Sequence, residues 1–290
     1  MQVTGIKLNG QIIDGRALAE KINLETRRQI VEEKLAPELA MILIGDNQAS
    51  QLYINLKKQA CEAVGIESHR YLFDDSATEN EILDTIDFLN QDNTINGILI
   101  QLPLPEKFAE AKLIERLDPK KDVDGFHPEN LRLLTADKPY IKSPLVLGIE
   151  ALIAETKVDL TNKKIVILSN SPVFAEPFKA VYRHNEIVSI TRNDENVKKI
   201  CHEADILIVA IGEANFITTD FIKDNAILID VGINKLDGKT VGDVDFDNAM
   251  LKASFISPVP GGVGPMTIAY LLRNTVELYK KQIGSANMPQ

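Results

Sequence analysis

The sequence predicts an α/β protein of two domains, at least one of them built on a doubly wound parallel sheet. Three observations carry this. Short, wholly apolar runs at 39–44 and 97–100 alternate with amphipathic segments of helical length, and strands buried on both faces are what a parallel sheet requires. From Lys164 the same rhythm restarts, with further apolar strands at 165–168, 187–191, 206–210 and 227–231. The length of 290 residues, with 44% hydrophobic and 26% charged residues, suits a globular chain with two cores and a boundary near 145–150.

The elements follow in order. Residues 14–34 read as a helix that Asp14 can cap, with Leu18, Ile22 and Ile30 near one face. The strand at 39–44 leads into a helix that stops at Gly65, where a left-handed residue ends it. In that helix Leu52, Leu56, Ala60 and Ala63 repeat at three and four, a buried stripe, and Tyr53 and Lys57 form a second ridge beside it. A ring and an amine are thereby held just past the carboxyl end of a strand, where open α/β sheets place ligands. The ordinary reading of such a pair is a solvated lysine with a tyrosine packed on its stem. A strand at 68–73 follows. The capping box Thr78-x-x-Glu81 then opens a helix that buries Ile82, Ile86 and Leu89.

The strand at 97–100 runs into Gln101-Leu-Pro-Leu-Pro105, and a proline cannot continue a central strand. Gln101 therefore stands at the strand's end, in the same layer as the Tyr53/Lys57 helix. After a helix at about 107–117 comes a loop, 118–128, that carries Asp118, Asp122 and Asp124. By composition it is a solvated turn, without the ligand alternation and closing Glu of a calcium loop. Residues 129–147 read as an irregular connection. The last helix, about 265–282, is preceded by three glycines and three prolines within residues 258–265. That density specifies a rigid backbone open to close approach, with an X-Pro bond there a cis candidate.

A net charge of −10 argues against nucleic acid or an anionic membrane as partner. Neither a leader peptide pattern nor an apolar run of spanning length is present, and a cytoplasmic setting is expected. Cys61 and Cys201 lack disulfide or zinc spacing, and the four histidines do not cluster, so no metal is expected.

Taken together, several stretches resemble one family. They are 46–57, Gln101-Leu-Pro-Leu, Lys121-Asp-Val-Asp-Gly-Phe-His-Pro128, Asp230-Val-Gly-Ile-Asn234, Gly242-Asp-Val-Asp-Phe246 and Pro258-Val-Pro-Gly-Gly-Val-Gly-Pro-Met-Thr267. The resemblance is to the bifunctional methylenetetrahydrofolate dehydrogenase/methenyltetrahydrofolate cyclohydrolases, and it covers nearly the whole chain. It implies a catalytic, folate-binding domain over 1–147 completed by 268–290, a Rossmann-like dinucleotide-binding domain over 148–267, a cleft between them, and a homodimer. It makes Lys57 the catalytic amine, Gln101 its hydrogen-bond partner, Tyr53 the ring that stacks on folate, and Asp124 an anchor for the pterin. Pro260, Gly261 and Gly262 would also line the substrate, and Ser169, Asn170, Ser171, Arg192, Asn193 and Ile233 the NADP or NAD.

The chemistry agrees with these residue types. Ring opening of a methenyl cation needs water delivered to an electrophilic carbon, and a lysine can move the proton only if burial or nearby positive charge lowers its pKa. The departures from the family pattern concentrate at the nucleotide end. The turn Ser169-Asn-Ser-Pro-Val-Phe-Ala175 has no glycine, although pyrophosphate usually meets one there. Asn170 replaces the arginine expected to pair with the 2′-phosphate of NADP, for which Arg192 could partly substitute. Both activities with an altered nucleotide site, cyclohydrolase alone, and a non-catalytic folate-binding paralogue are the three readings that follow.

Overall fold

Apolar runs become strands and capped segments become helices in the computed structural model, which describes residues 10–170 and 172–286. Along the chain, β1 (Gln11–Ile12) and α1 (Gly15–Glu33) lead into β2 (Glu38–Ile44), α2 (Gln48–Val64), β3 (Glu67–Phe73), α3 (Glu79–Gln91) and β4 (Gly97–Ile100). The shorter helices α4 (Glu110–Arg116) and α5 (Pro128–Thr135) come next. Then follow α6 (Pro144–Glu155), β5 (Lys164–Ser169), α7 (Glu176–Val181), β6 (Glu186–Ile190), α8 (Val197–His202), β7 (Ile206–Ala210) and β8 (Ile227–Asp230). A hairpin of β9 (Asn234–Leu236) and β10 (Lys239–Val241), then α9 (Phe246–Ala249), β11 (Phe255–Ile256) and α10 (Val263–Ala286), complete the order. The chain divides into two units, Glu20–Pro144 with the stretch from Ile268 onward, and Leu145–Thr267 with the segment ending at Ala19.

The first unit holds a parallel sheet in the order β3-β2-β4. Its central strand β2 is buried from Leu39 to Ile44, and β4 is buried throughout. Leu39, Met41 and Leu99 face one core with Ile54, Cys61, Leu271 and Leu272, while Ala40, Ile42 and Ile98 face another with Ile82, Ile86 and Leu89. This two-sided burial explains why neither strand alternates in polarity. Helix α3 begins on the expected capping box, with Glu81 N donating to Thr78 Oγ1 and Thr78 N to Glu81 Oε2.

Two expectations in this unit are corrected. The stripe assigned to α2 is largely outward: Leu52 and Leu56 are 54% and 41% exposed and Ala63 is exposed, whereas Ser50, Ile54, Cys61 and Val64 are buried. The true inner ladder passes through position 57, and counting apolar residues alone skipped it. Residues 129–147 are likewise not wholly irregular, because α5 forms there. Pro128 occupies the first turn, where its missing N–H is no loss, and the His127 side chain accepts from Glu129 N at 3.0 Å.

The second unit holds a six-stranded parallel sheet in the order β1-β11-β8-β7-β5-β6. The four expected strands lie side by side in it as β8-β7-β5-β6, with β6 at the edge, and β5, β7 and β8 are almost wholly buried. Strands β1 and β11 pair over Gln11↔Phe255 and Ile12↔Ile256. Two residues carry no periodicity, so nothing in the sequence marks Gln11 and Ile12 as a strand. Loop closure at the carboxyl edge uses two buried carboxylates. A Cβ on Gly232 would lie 2.1 Å from Asp243 Cγ, and one on Gly242 would lie 1.8 Å from Asp230 Oδ2. Both positions therefore require glycine.

Candidate active site

Helix α2 presents the first group. Asn47 caps its start, accepting from Ser50 N at 3.0 Å, and Gly65 ends it at φ 93° with its N–H on Cys61 O. Between these fixed ends Lys57 lies on the inner ladder between Ile54 and Cys61, and is itself partly buried. Its Nζ donates to Gln101 Oε1 at 2.9 Å, and Gln101 Nε2 donates to Leu102 O at 2.6 Å. The second bond fixes the amide's orientation, so that its oxygen faces the amine. Burial lowers the Lys57 pKa, against a smaller opposing pull from Asp124. Burial also pushes the Cys61 thiol up to about 12. The thiol is therefore neutral at ordinary pH and does not hold the lysine as an ammonium. Tyr53 sits one turn before Lys57, half-buried.

Asp124 is brought to this amine by the loop after α4. Ile98 N donates to Lys121 O at 2.7 Å and Val123 N to Ile98 O at 3.4 Å, which fasten the loop to β4. Asn274 Nδ2 donates to Val123 O and Lys142 O, each at 2.9 Å. Inside the loop the Asp122 carboxylate accepts from Asp124 N (3.2 Å), Gly125 N (3.0 Å), His127 N (2.8 Å) and Asn130 Nδ2 (3.0 Å). Asp122 is 1% exposed, which corrects the solvated-turn reading of this stretch. Burial pushes the Asp124 carboxyl up to about 6, with Lys57 pulling it down and Asp122 pushing it further up. Lys57, Gln101 and Asp124 thus form one cluster, with Tyr53 on the same helix.

The other expected site residues lie in the second unit. Ser169 is buried at the end of β5, and Asn170 Nδ2 donates to Ile211 O at 2.6 Å. Ser171 falls outside the described residues. Beyond it a short turn of 3-10 helix, Pro172–Ala175, leads into α7. Arg192 follows β6, and its Nη1 donates to Glu213 Oε2 at 2.8 Å, with Asn193 exposed beside it. Ile233 is exposed just before β9. Pro260 follows a cis peptide bond and is exposed, whereas Gly261 and Gly262 are buried. Gly261, at φ 114°, accepts from Arg16 N at 2.9 Å through its carbonyl.

The sequence reading missed Asp243, which is fully buried and accepts from Ile211 N (2.7 Å), Gly212 N (3.0 Å), Glu213 N (2.8 Å) and Asn234 Nδ2 (2.9 Å). It fixes the loop after β7. It also missed Glu213. The signal for Asp243 is that each of the stretches 230–234 and 242–246 sets an aspartate close to a glycine, Asp230 with Gly232 and Asp243 with Gly242.

Two family profiles match the chain. The catalytic domain of tetrahydrofolate dehydrogenase/cyclohydrolase matches residues 13–124, and the NAD(P)-binding domain of the same family matches residues 144–283. The chain belongs to the tetrahydrofolate dehydrogenase/cyclohydrolase family. It is 44% identical over 278 residues to the bifunctional protein FolD of Bacillus cytotoxicus, covering 93% of this chain and 96% of that protein. Among solved structures it is similar to the FolD methylenetetrahydrofolate dehydrogenase/cyclohydrolase of Campylobacter jejuni, at 38% identity and TM-score 0.88 over 93% of this chain and 99% of that one. The Trypanosoma brucei methylenetetrahydrofolate dehydrogenase-cyclohydrolase, solved with NADP and an inhibitor, aligns at 28% identity and TM-score 0.89 over 94% and 98% of the two chains.

The second unit is thus the NAD(P)-binding domain of the family, and its residues fit such a ligand. The sheet order places β6 and β7 on opposite sides of β5, the reversal beside which doubly wound sheets bind dinucleotides. At the end of β7, Gly212 has φ 69°, and a Cβ there would meet nothing within 4 Å, so a ligand can approach the backbone closely. Among the described residues no helix is long and apolar enough to cross a membrane.

Proposed function

We propose that this chain oxidises methylenetetrahydrofolate with NADP or NAD, then hydrolyses the methenyltetrahydrofolate formed to formyltetrahydrofolate, with Lys57 moving the proton in the second step. The observation that carries the residue assignment is the Lys57 Nζ to Gln101 Oε1 bond of 2.9 Å, made in a partly buried setting beside Asp124. A bound dinucleotide supplies the hydride acceptor for the first step. The chain's own contribution there is to hold the folate carbon in line, with Tyr53 stacking on the ring system and Asp124 accepting from pterin N–H groups. An aspartate serves this purpose because an N–H of a buried ring needs a partner.

In the second step a water oxygen bonds to the methenyl carbon, and one proton leaves that water. Neutral Lys57 takes this proton. The hydroxyl oxygen of the resulting adduct then becomes the formyl C=O as one carbon–nitrogen bond breaks. The departing nitrogen gains the proton that the hydroxyl gives up, so that one proton is released net, through the Lys57 ammonium. Gln101 holds the amine by accepting from it, so the lone pair stays available. A carboxylate in its place would fix the ammonium instead.

Residues 1–147 with 268–290 are assigned to folate binding and catalysis, and 148–267 to the dinucleotide. Pro260, Gly261 and Gly262 are assigned to the folate. Ser169, Asn170, Ser171, Arg192, Asn193 and Ile233 are assigned to the dinucleotide. The chain acts as a homodimer in the cytoplasm. Support for an association surface comes from exposed Leu52 and Leu56 on α2 and exposed Leu72 on the edge strand β3, elements joined by Arg70 Nη1 donating to Asn55 Oδ1 at 3.0 Å.

The test follows methenyltetrahydrofolate hydrolysis spectroscopically in wild type and Lys57→Met. The expected result is a loss of about 10²-fold or more, and equal rates would overturn the assignment of Lys57. In parallel, methylenetetrahydrofolate is mixed with each dinucleotide, and reduction of neither would leave cyclohydrolase as the sole activity.

A further inference from the structure

A doubly wound domain reads the adenosine ribose about 20 residues past the turn after its first strand, with an acidic group for a free 2′-hydroxyl or an arginine for a 2′-phosphate. In this chain that position falls at Arg192, at the carboxyl end of β6. Arg192 does not stand alone, because its Nη1 donates to Glu213 Oε2 at 2.8 Å. We infer that Glu213 is a specificity-determining residue that turns this protein toward NAD and against NADP, by holding the arginine that stands at the position where a 2′-phosphate is read. The inference rests on the dehydrogenase reading above and deepens it.

Three features support the direction. Asn170, at the other position where a cation could meet the phosphate, is neutral and committed to Ile211 O at 2.6 Å. Glu213 has a fixed main-chain position, since its N–H donates to the buried Asp243 carboxylate at 2.8 Å. The turn of Arg192 carries a further carboxylate, Asp194, which accepts from Thr191 N at 2.6 Å and Thr191 Oγ1 at 2.9 Å. A 2′-phosphate, bearing nearly two negative charges at neutral pH, would meet one already neutralised cation and a second carboxylate. A 2′-hydroxyl can instead donate to either acid. The Arg192–Glu213 pair is exposed, and pairs of that kind contribute little to folding, so its replacement leaves the fold intact.

The test is titration of the full-length protein with NAD and with NADP, by calorimetry or intrinsic fluorescence, at one fixed ionic strength. Wild type, Glu213→Gln, Arg192→Gln and the double variant are compared. The expected wild-type result is a Kd for NADP about tenfold or more above that for NAD, and Glu213→Gln brings the ratio down by about tenfold. Removing Arg192 as well restores the wild-type ratio, because the gain needs the released guanidinium. A wild type that prefers NADP, a ratio moved less than twofold by Glu213→Gln, or a gain that survives in the double variant would each overturn the inference while leaving the dehydrogenase reading in place. Failure of wild type to bind either dinucleotide would overturn both together.

Discussion

Replacing Asp122 by asparagine tests how the Asp124 loop is held. The Asp122 carboxylate receives four donors, from Asp124 N, Gly125 N, His127 N and Asn130 Nδ2, at 2.8 to 3.2 Å. Asparagine offers one acceptor oxygen and turns an NH₂ toward donors, so it keeps the bonds to one oxygen and loses those to the other. His127 N and Asn130 Nδ2 share Oδ2, and Asp124 N and Gly125 N share Oδ1, so two donors are orphaned whichever way the amide turns. Each buried donor left without a partner costs about 1–3 kcal/mol. Against this, the variant no longer buries a charge, the burial that pushes the Asp122 carboxyl pKa up. The expected net loss is roughly 2–4 kcal/mol of stability, read as a lower urea midpoint. Because Asp124 rides on the same loop, KM for the folate substrate rises more than kcat falls. A stability change below about 0.5 kcal/mol with an unaltered KM would refute the idea that Asp122 positions Asp124.

Other variants follow from the same contacts. Gln101→Glu places a carboxylate where an amide oxygen now lies 2.9 Å from Lys57 Nζ; it raises the amine's pKa, moves the pH profile of hydrolysis upward by about one unit and lowers the rate at pH 7, whereas an unmoved profile counts against a lysine base. Asp124→Asn concerns pH and stability together. The folded-state pKa of Asp124, about 6, lies above its ordinary 3.8, so folding favours the protonated acid and wild-type stability falls as pH rises between those values. Asparagine removes that dependence and raises stability at pH 7.5 by about 1–3 kcal/mol, a figure that already includes the attraction to Lys57. Denaturation midpoints from pH 4 to 8 that stay parallel in the two proteins would contradict this. Gly242→Ala would set a methyl 1.8 Å from Asp230 Oδ2; a loss of about 3 kcal/mol or more is expected, and a Tm within about 2 °C of wild type would show that the loop yields.

Much of the architecture was legible because parallel strands buried on both faces leave unbroken apolar runs, and because Thr78 with Glu81 and Gly65 are local signals with a mechanism. What escaped were features set by tertiary contact. Lys57 occupies a rung of the buried ladder of α2, but a charged residue there hides the ladder, and Leu52 and Leu56 offered a plausible wrong one. Pro128 reads as a breaker until it is seen to start α5. Nothing in the loop 118–128 tells which of its aspartates turns inward, and Asp122 does so only because four donors converge on it. Arg192 and Glu213 meet because β6 and the loop after β7 reach the same edge of one sheet. The chemistry of Lys57, Gln101 and Asp124 came instead from the resemblance of long motifs.

The most direct measurement is the ionisation of Lys57 itself, followed by heteronuclear NMR of its Cε–Nζ group and assigned by the signal missing from Lys57→Met. The expected midpoint lies below the ordinary lysine value of about 10.4 and coincides with the pH at which methenyl hydrolysis rises. A midpoint at or above that value, or hydrolysis that climbs with pH independently of it, would contradict the assignment of this amine as the base.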